Sequence, residues 1–210
     1  MWKQTKFVEW QDNTTPAPRS NKDDRCACVL NHVGISVPDC DAAVAWYGAV
    51  FGMRPLKPVL HVKREQFPGA PIFRVFDNND GSTLQEFKMA WLGTAAAAAG
   101  HSAAVGLEIF EFIEPRHQYR RPPHEGPDSQ FVLEYARGGF FHVAMTVADP
   151  EKSCAEVVKT GGRKLGETVP MPHRNLVVYC QDPWGNAIEL LTTSFEQMVL
   201  NGAPPKDEVQ

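Results

Sequence analysis

The segment around His32 occurs twice. Laid on Phe140-Phe141-His142-Val143-Ala144-Met145-Thr146-Val147-Ala148-Asp149, the run Leu30-Asn31-His32-Val33-Gly34-Ile35-Ser36-Val37-Pro38-Asp39 aligns His32 with His142, Val33 with Val143, Val37 with Val147 and Asp39 with Asp149. A duplicated unit narrows the possible folds, because both copies must bury equivalent apolar faces against a shared core. In the first copy a strand at 31–37 ends at Pro38-Asp39, and Asp39 or Asp41 caps a helix filled by Ala42, Ala43, Ala45, Trp46, Tyr47 and Phe51 and stopped by Gly52. In the second, a strand at 142–147 leads to Asp149-Pro150, a cap followed by proline at the first helical position. That helix runs through Cys154, Val157 and Val158 to Gly161-Gly162.

Strand-like runs follow each helix, at 72–76, 83–89 and 105–112 in the first copy and at 163–168, 176–180 and 187–191 in the second. Asp182-Pro183-Trp184-Gly185-Asn186 is a turn cluster that joins the last two as a hairpin. Each copy therefore reads β-α-β-β-β, an α+β unit. The first copy is longer, and its extra length falls in loops at 58–71 and in the alanine run at 95–99. The expected organisation is an N-terminal arm (1–25), a first module (26–140), a second module (141–195) and a C-terminal tail (196–210).

Composition excludes several functions. A net charge of −4 and a pI near 6.0 give nucleic acid no basic face to bind. No apolar run approaches the roughly 20 residues that span a bilayer. The polar start, Met1-Trp2-Lys3-Gln4-Thr5-Lys6, precedes no hydrophobic signal core, so a cytoplasmic protein is expected. Cys26, Cys28, Cys40, Cys154 and Cys180 form no C-x-x-C pair and are expected as reduced thiols.

Strand alternation turns both histidines the same way. Val33, Ile35 and Val37 share one face of the first strand, and His32, Gly34 and Ser36 share the other. Val143, Met145 and Val147 oppose His142, Ala144 and Thr146 in the same manner. The apolar faces pack under the helices, so the histidine faces look into a concavity. Downstream, Glu108 shares a face with Phe110 and Phe112, and Glu189 shares one with Leu191. Two carboxylates in one poorly solvated cavity repel each other unless a cation joins them. His32, Glu108, His142 and Glu189 are therefore the candidate ligands of one divalent metal.

His32-Val33-Gly34-Ile35-Ser36-Val37-Pro38-Asp39, Trp46-Tyr47-Gly48-Ala49-Val50-Phe51-Gly52-Met53 and Asp182-Pro183-Trp184-Gly185-Asn186-Ala187-Ile188-Glu189-Leu190 resemble the vicinal oxygen chelate (glyoxalase, bleomycin-resistance and dioxygenase) superfamily. The resemblance runs from about Cys28 to Thr193. It implies paired β-α-β-β-β modules that form an eight-stranded, cupped mixed sheet around a metal. It also implies ligands at His32, Glu108, His142 and Glu189, and a homodimer whose subunits the 1–25 arm is available to link. Glu111 is the near competitor of Glu108 but lies on the opposite strand face.

Two imidazoles and two carboxylates suit Zn, Ni, Mn, Co or Fe. A substrate with adjacent oxygens would chelate the ion, which acts as Lewis acid toward an enolate-type intermediate. Glu189 or Glu108 is then the base, and the expected enzyme is an isomerase, epimerase or lyase. Glyoxalase I enzymes carry an arginine near the end of the first strand. Here that stretch reads Gly34-Ile35-Ser36-Val37, which leaves glutathione thiohemiacetals without that anchor. Two further readings are an Fe(II) ring-cleaving dioxygenase using His32, His142 and Glu189, and a metal-free resistance protein that sequesters a small molecule. Phe110, Phe112, Phe140 and Phe141 favour an apolar or aromatic substrate of the kind found in secondary metabolism. A basic rim at Arg116, Arg120 and Arg121, and the scattered polar residues Arg74, Lys88, His101, Tyr135, His173, Arg174 and Tyr179, are weaker candidates for substrate contact, with surface or structural roles as the default.

Overall fold

The computed structural model describes residues 30–70, 72–76, 83–94, 105–118, 138–195 and 197–198. The expected arm, the C-terminal tail and the alanine run at 95–99 lie outside the described residues, apart from the tail's residues 197 and 198. In the first module, β1 (His32–Ser36), α1 (Cys40–Phe51), β2 (Arg54–Pro55), β3 (Leu60–Lys63), α2 (Ile72–Val75), β4 (Glu86–Gly93) and β5 (Gly106–Glu114) follow in order. The second contains β6 (Val143–Thr146), α3 (Pro150–Lys159), β7 (Arg163–Met171), β8 (Asn175–Gln181) and β9 (Ala187–Leu191).

Both sheets are wound alike. The first has the order β1-β5-β4-β2, with β3 also paired to β4, and the second has β6-β9-β8-β7. In each, the module's first strand lies parallel to its last, and the other pairs are antiparallel. Because β2 and β3 pair with different ends of β4, they share one position, and the eight expected strand positions appear as a five-stranded and a four-stranded sheet.

The run at 72–76 is a correction. It is not a strand but a single helical turn, Ile72–Val75, while a strand forms at Leu60–Lys63 inside the expected loop. The reason is competition for the edge of β4, which β3 takes through Leu60↔Met89 to Lys63↔Glu86. A hydrogen bond between His61 and Glu86 at 2.7 Å and an ion pair from Lys63 to Glu86 at 3.2 Å reinforce that register. The displaced run folds over the sheet instead, and buries Phe73 beside Phe87 and Leu84. β4 also extends further than expected, to Gly93.

Both helices start as expected. The Asp39 carboxylate accepts the Ala42 amide at 2.9 Å, and the Asp149 carboxylate accepts the Lys152 amide at the same distance. α1 ends at Gly52, whose φ of 66° is the left-handed cap that a side chain disfavours. After α3 the chain passes so close to β8 that a Cβ on Gly162 would clash with the Gln181 carbonyl oxygen.

The two modules share one apolar core. Ala43, Trp46 and Tyr47 of α1 and Cys154 and Val157 of α3 pack with Leu107, Ile109, Ile188 and Leu190 from the two sheets. Cys40, Cys154 and Cys180 are free and buried, and burial pushes the Cys40 and Cys180 thiols up to about 12.

Two polar bonds tie α1 to the second module. The Trp46 indole donates to Thr160 Oγ1 at 2.9 Å, and the buried Tyr47 hydroxyl donates to Asp182 Oδ2 at 2.9 Å. Burial raises Asp182 above the usual carboxylate value, and the donors around it, led by Asn186, hold it back. Replacing Tyr47 by Phe removes one of those donors and leaves the buried carboxyl under-satisfied. Tyr47→Phe is expected to cost roughly 1–3 kcal/mol of unfolding free energy, measured by urea denaturation. A loss below about 0.5 kcal/mol would show that the bond contributes little net stability.

Candidate metal centre

The parallel strand pairs set the candidate ligands in matching register. Gly34 of β1 lies opposite Glu108 of β5, and Ala144 of β6 lies opposite Glu189 of β9. Each histidine is two residues before the small residue, so it shares the glutamate's face and stands beside it. His32 Nε2 is 3.5 Å from Glu108 Oε2, and His142 Nε2 is 3.1 Å from Glu189 Oε2. A Cβ at Gly34 would meet nothing within 4 Å, so the space above the first pair is open. The second pair is the more enclosed, with the His142 side chain 25% exposed against 51% for His32.

Each glutamate is also held by an aromatic donor directly across the neighbouring antiparallel strand. Trp91 is opposite Glu108, and its Nε1–H donates to Oε1 at 2.8 Å. Tyr179 is opposite Glu189 and hydrogen-bonds it; burial first, and then this carboxylate, push the phenol up to about 12. The rings of Tyr179 and Phe141 both meet His142 edge-on.

These distances fit a divalent ion. Metal–ligand bonds of about 2.0–2.2 Å place adjacent ligand atoms roughly 3.0–3.5 Å apart, the separation within both pairs. His142 Nδ1, the ring nitrogen that does not face Glu189, is buried without a partner. The structure thus brings His32 to Glu108 and His142 to Glu189. It brings no three of these four ligand atoms within 4.8 Å, although all four residues are described.

Among the described residues, the trio that does meet that distance is Asp39, Asp41 and Glu111. Its groups already have partners. The Cys40 amide donates to Glu111 Oε2 at 2.9 Å, and Lys88 Nζ reaches Asp41 Oδ2 at 2.7 Å and Glu111 Oε2 at 3.6 Å. The bond to Asp41 raises the Lys88 ammonium above its ordinary value. Glu111 and Lys88 therefore anchor the start of α1, on the strand face away from Glu108.

An aromatic wall adjoins the first pair. Phe110 and Phe112, on the Glu108 face, stack with centroids 5.6 Å apart, and Phe76 meets both edge-on. Phe140, by contrast, is 92% exposed, and Phe141 is 36% exposed. Beyond His32 on the same face, Ser36 Oγ lies 2.9 Å from His117 Nδ1. His173 and Arg174 form the exposed β7–β8 turn with φ of 60° and 63°, and Arg116 is exposed. His101, Arg120, Arg121, Tyr135 and the side chain of Arg74 lie outside the described residues.

Trp91 and His117 were not among the residues singled out from the sequence. Tyr179 was, but without its carboxylate partner. A hairpin centred on Trp184 already places 179 opposite 189, so that signal was available. Trp91 depends on a register across the 95–104 connection, which turn chemistry does not specify.

A sequence profile of the Glyoxalase/Bleomycin resistance protein/Dioxygenase superfamily matches residues 29–190. A protein of Synechocystis sp. named probable lactoylglutathione lyase is 39% identical over 170 residues, covering 80% of this chain and 98% of that protein. The crystal structure of a glyoxalase family protein from Bacillus cereus superposes with a TM-score of 0.58 at 19% identity, over 81% of this chain and 97% of that one.

Burial lowers the His117 imidazole below its ordinary 6.5. Between that lowered value and 6.5 the unfolded chain binds more protons than the folded one, so this group makes stability rise with pH there and fall as pH drops. In urea unfolding followed across pH, His117→Asn is expected to flatten that part of the profile. An unchanged slope would contradict the burial described.

Proposed function

The chain belongs to the Glyoxalase/Bleomycin resistance protein/Dioxygenase superfamily, and we propose that within it the protein is a divalent-metal-dependent lyase or isomerase of a small molecule with adjacent oxygens. The observation that carries this reading is the pair of equivalent His–Glu contacts, His32–Glu108 and His142–Glu189, each at the spacing of neighbouring ligands on one ion. The name of the Synechocystis relative, a lyase, supports the reaction class. The proposed enzyme is cytoplasmic and a homodimer, and its ion is one of Zn, Ni, Mn, Co or Fe.

When bound, the ion supplies Lewis-acid polarisation of substrate oxygens. The protein's own groups do the rest. His32, Glu108, His142 and Glu189 would hold the ion, and the two carboxylates would balance its charge. Glu189 takes the proton from the carbon beside the substrate carbonyl and returns it to the neighbouring carbon. Its 12% exposure keeps water scarce around that oxygen. Phe110 and Phe112 offer an apolar wall to the body of the substrate. At the end of β1, the Ser36–His117 pair offers hydrogen bonds rather than a fixed positive charge, which favours an uncharged substrate group there.

Chelator-treated protein is expected to lose turnover of hemithioacetals or aromatic hydroxyketones, and to regain it with Mn, Co, Ni or Zn. Glu189→Gln is expected to lower kcat by about 100-fold or more. Intact metal content together with intact turnover in that variant would sink the assignment. Oxygen uptake on a catechol with added Fe(II) would replace it with ring cleavage, and absence of metal after metal-replete expression would replace it with sequestration.

A further inference from the structure

The two glutamates occupy equivalent positions but have unlike neighbours. Trp91 and Tyr179 stand at the same register position in their modules, each across an antiparallel pair from its glutamate. An indole N–H donates only, whereas a phenol hydroxyl rotates, donates and accepts. The Trp91 ring packs against the aromatic cluster of the first sheet, so its N–H direction is set by packing. That N–H occupies Glu108 Oε1 at 2.8 Å while Oε2 faces His32 Nε2. Glu108 therefore has one oxygen committed to the protein and one turned to the candidate ion. Glu189 is hydrogen-bonded instead by the Tyr179 hydroxyl.

We propose that Trp91 is a positioning residue that restricts Glu108 to single-oxygen ligation through Oε2. This rests on the reading of the two His–Glu pairs as metal ligands. Bidentate attachment of Glu108 requires Oε1 to leave the indole, and the N–H would then lose its acceptor within a half-buried site.

The test uses Co(II) alone as probe, on the full-length protein. Trp91→Phe keeps a ring in the cluster and removes the donor. Its Co(II) affinity, from chelator competition, is expected to fall about 10-fold, and its visible Co(II) bands to weaken as Oε1 joins the ion. Affinity within about two-fold of the parent and unchanged bands in a folded Trp91→Phe protein would overturn the proposal while leaving the metal reading intact. A parent protein that binds no Co(II) would overturn the metal reading, and this inference with it.

A second measurement does not depend on that variant folding. In the 15N-labelled parent, one indole N–H resonance is expected to stay protected from exchange when Zn(II) saturates the site, and to shift in Glu108→Ala. Loss of that protection on Zn(II) binding, or five tryptophan resonances unmoved by Glu108→Ala, would overturn the proposal.

Discussion

The bond from the Tyr47 hydroxyl to Asp182 connects a helix of one module to the turn that organises the other. Asp182 Oδ1 accepts the Trp184 and Asn186 amides at 3.0 and 2.8 Å, and Oδ2 accepts the Asn186 side-chain amide at 2.7 Å. These bonds shape the β8–β9 turn, and the turn sets Tyr179 opposite Glu189. A single buried carboxyl therefore joins the modules and sets the register of one half of the candidate site. Trp46 reinforces the junction, with its indole on Thr160 and its ring edge-on to Trp184, 6.0 Å between centroids.

Duplication explains why the site has two matched halves. In each module the first and last strands run side by side, and a small residue two positions after the histidine faces the glutamate. Drift since duplication shows in the surroundings rather than in this geometry. The first half is more open and borders an aromatic wall, while the second is more enclosed and edged by Tyr179 and Phe141.

Much of this arrangement was legible in the residues. Asp39 and Gly52 bounded α1, Asp149-Pro150 opened α3, and the turn around Trp184 bounded β9, because caps and turns are local signals. Alternation along β1 and β6 was enough to separate the histidine faces from the core faces. Glu111 fell on the far face of β5 for the same reason, and its role there is to receive the start of α1. What was missed depends on tertiary competition. The apolar run at 72–76 suits a strand as well as a turn, and Leu60–Lys63 took the edge it would have needed. Trp91 acquired its partner through a long connection whose register no local signal sets.

Lys88 carries a consequence beyond its ion pairs. The three carboxylates gathered near the start of α1 already hold a cation, and it is tethered to the chain. The tethered ammonium offsets part of that negative charge whatever the supply of free ions around the protein. The helix that anchors the inter-module junction keeps its start without borrowing charge from solution.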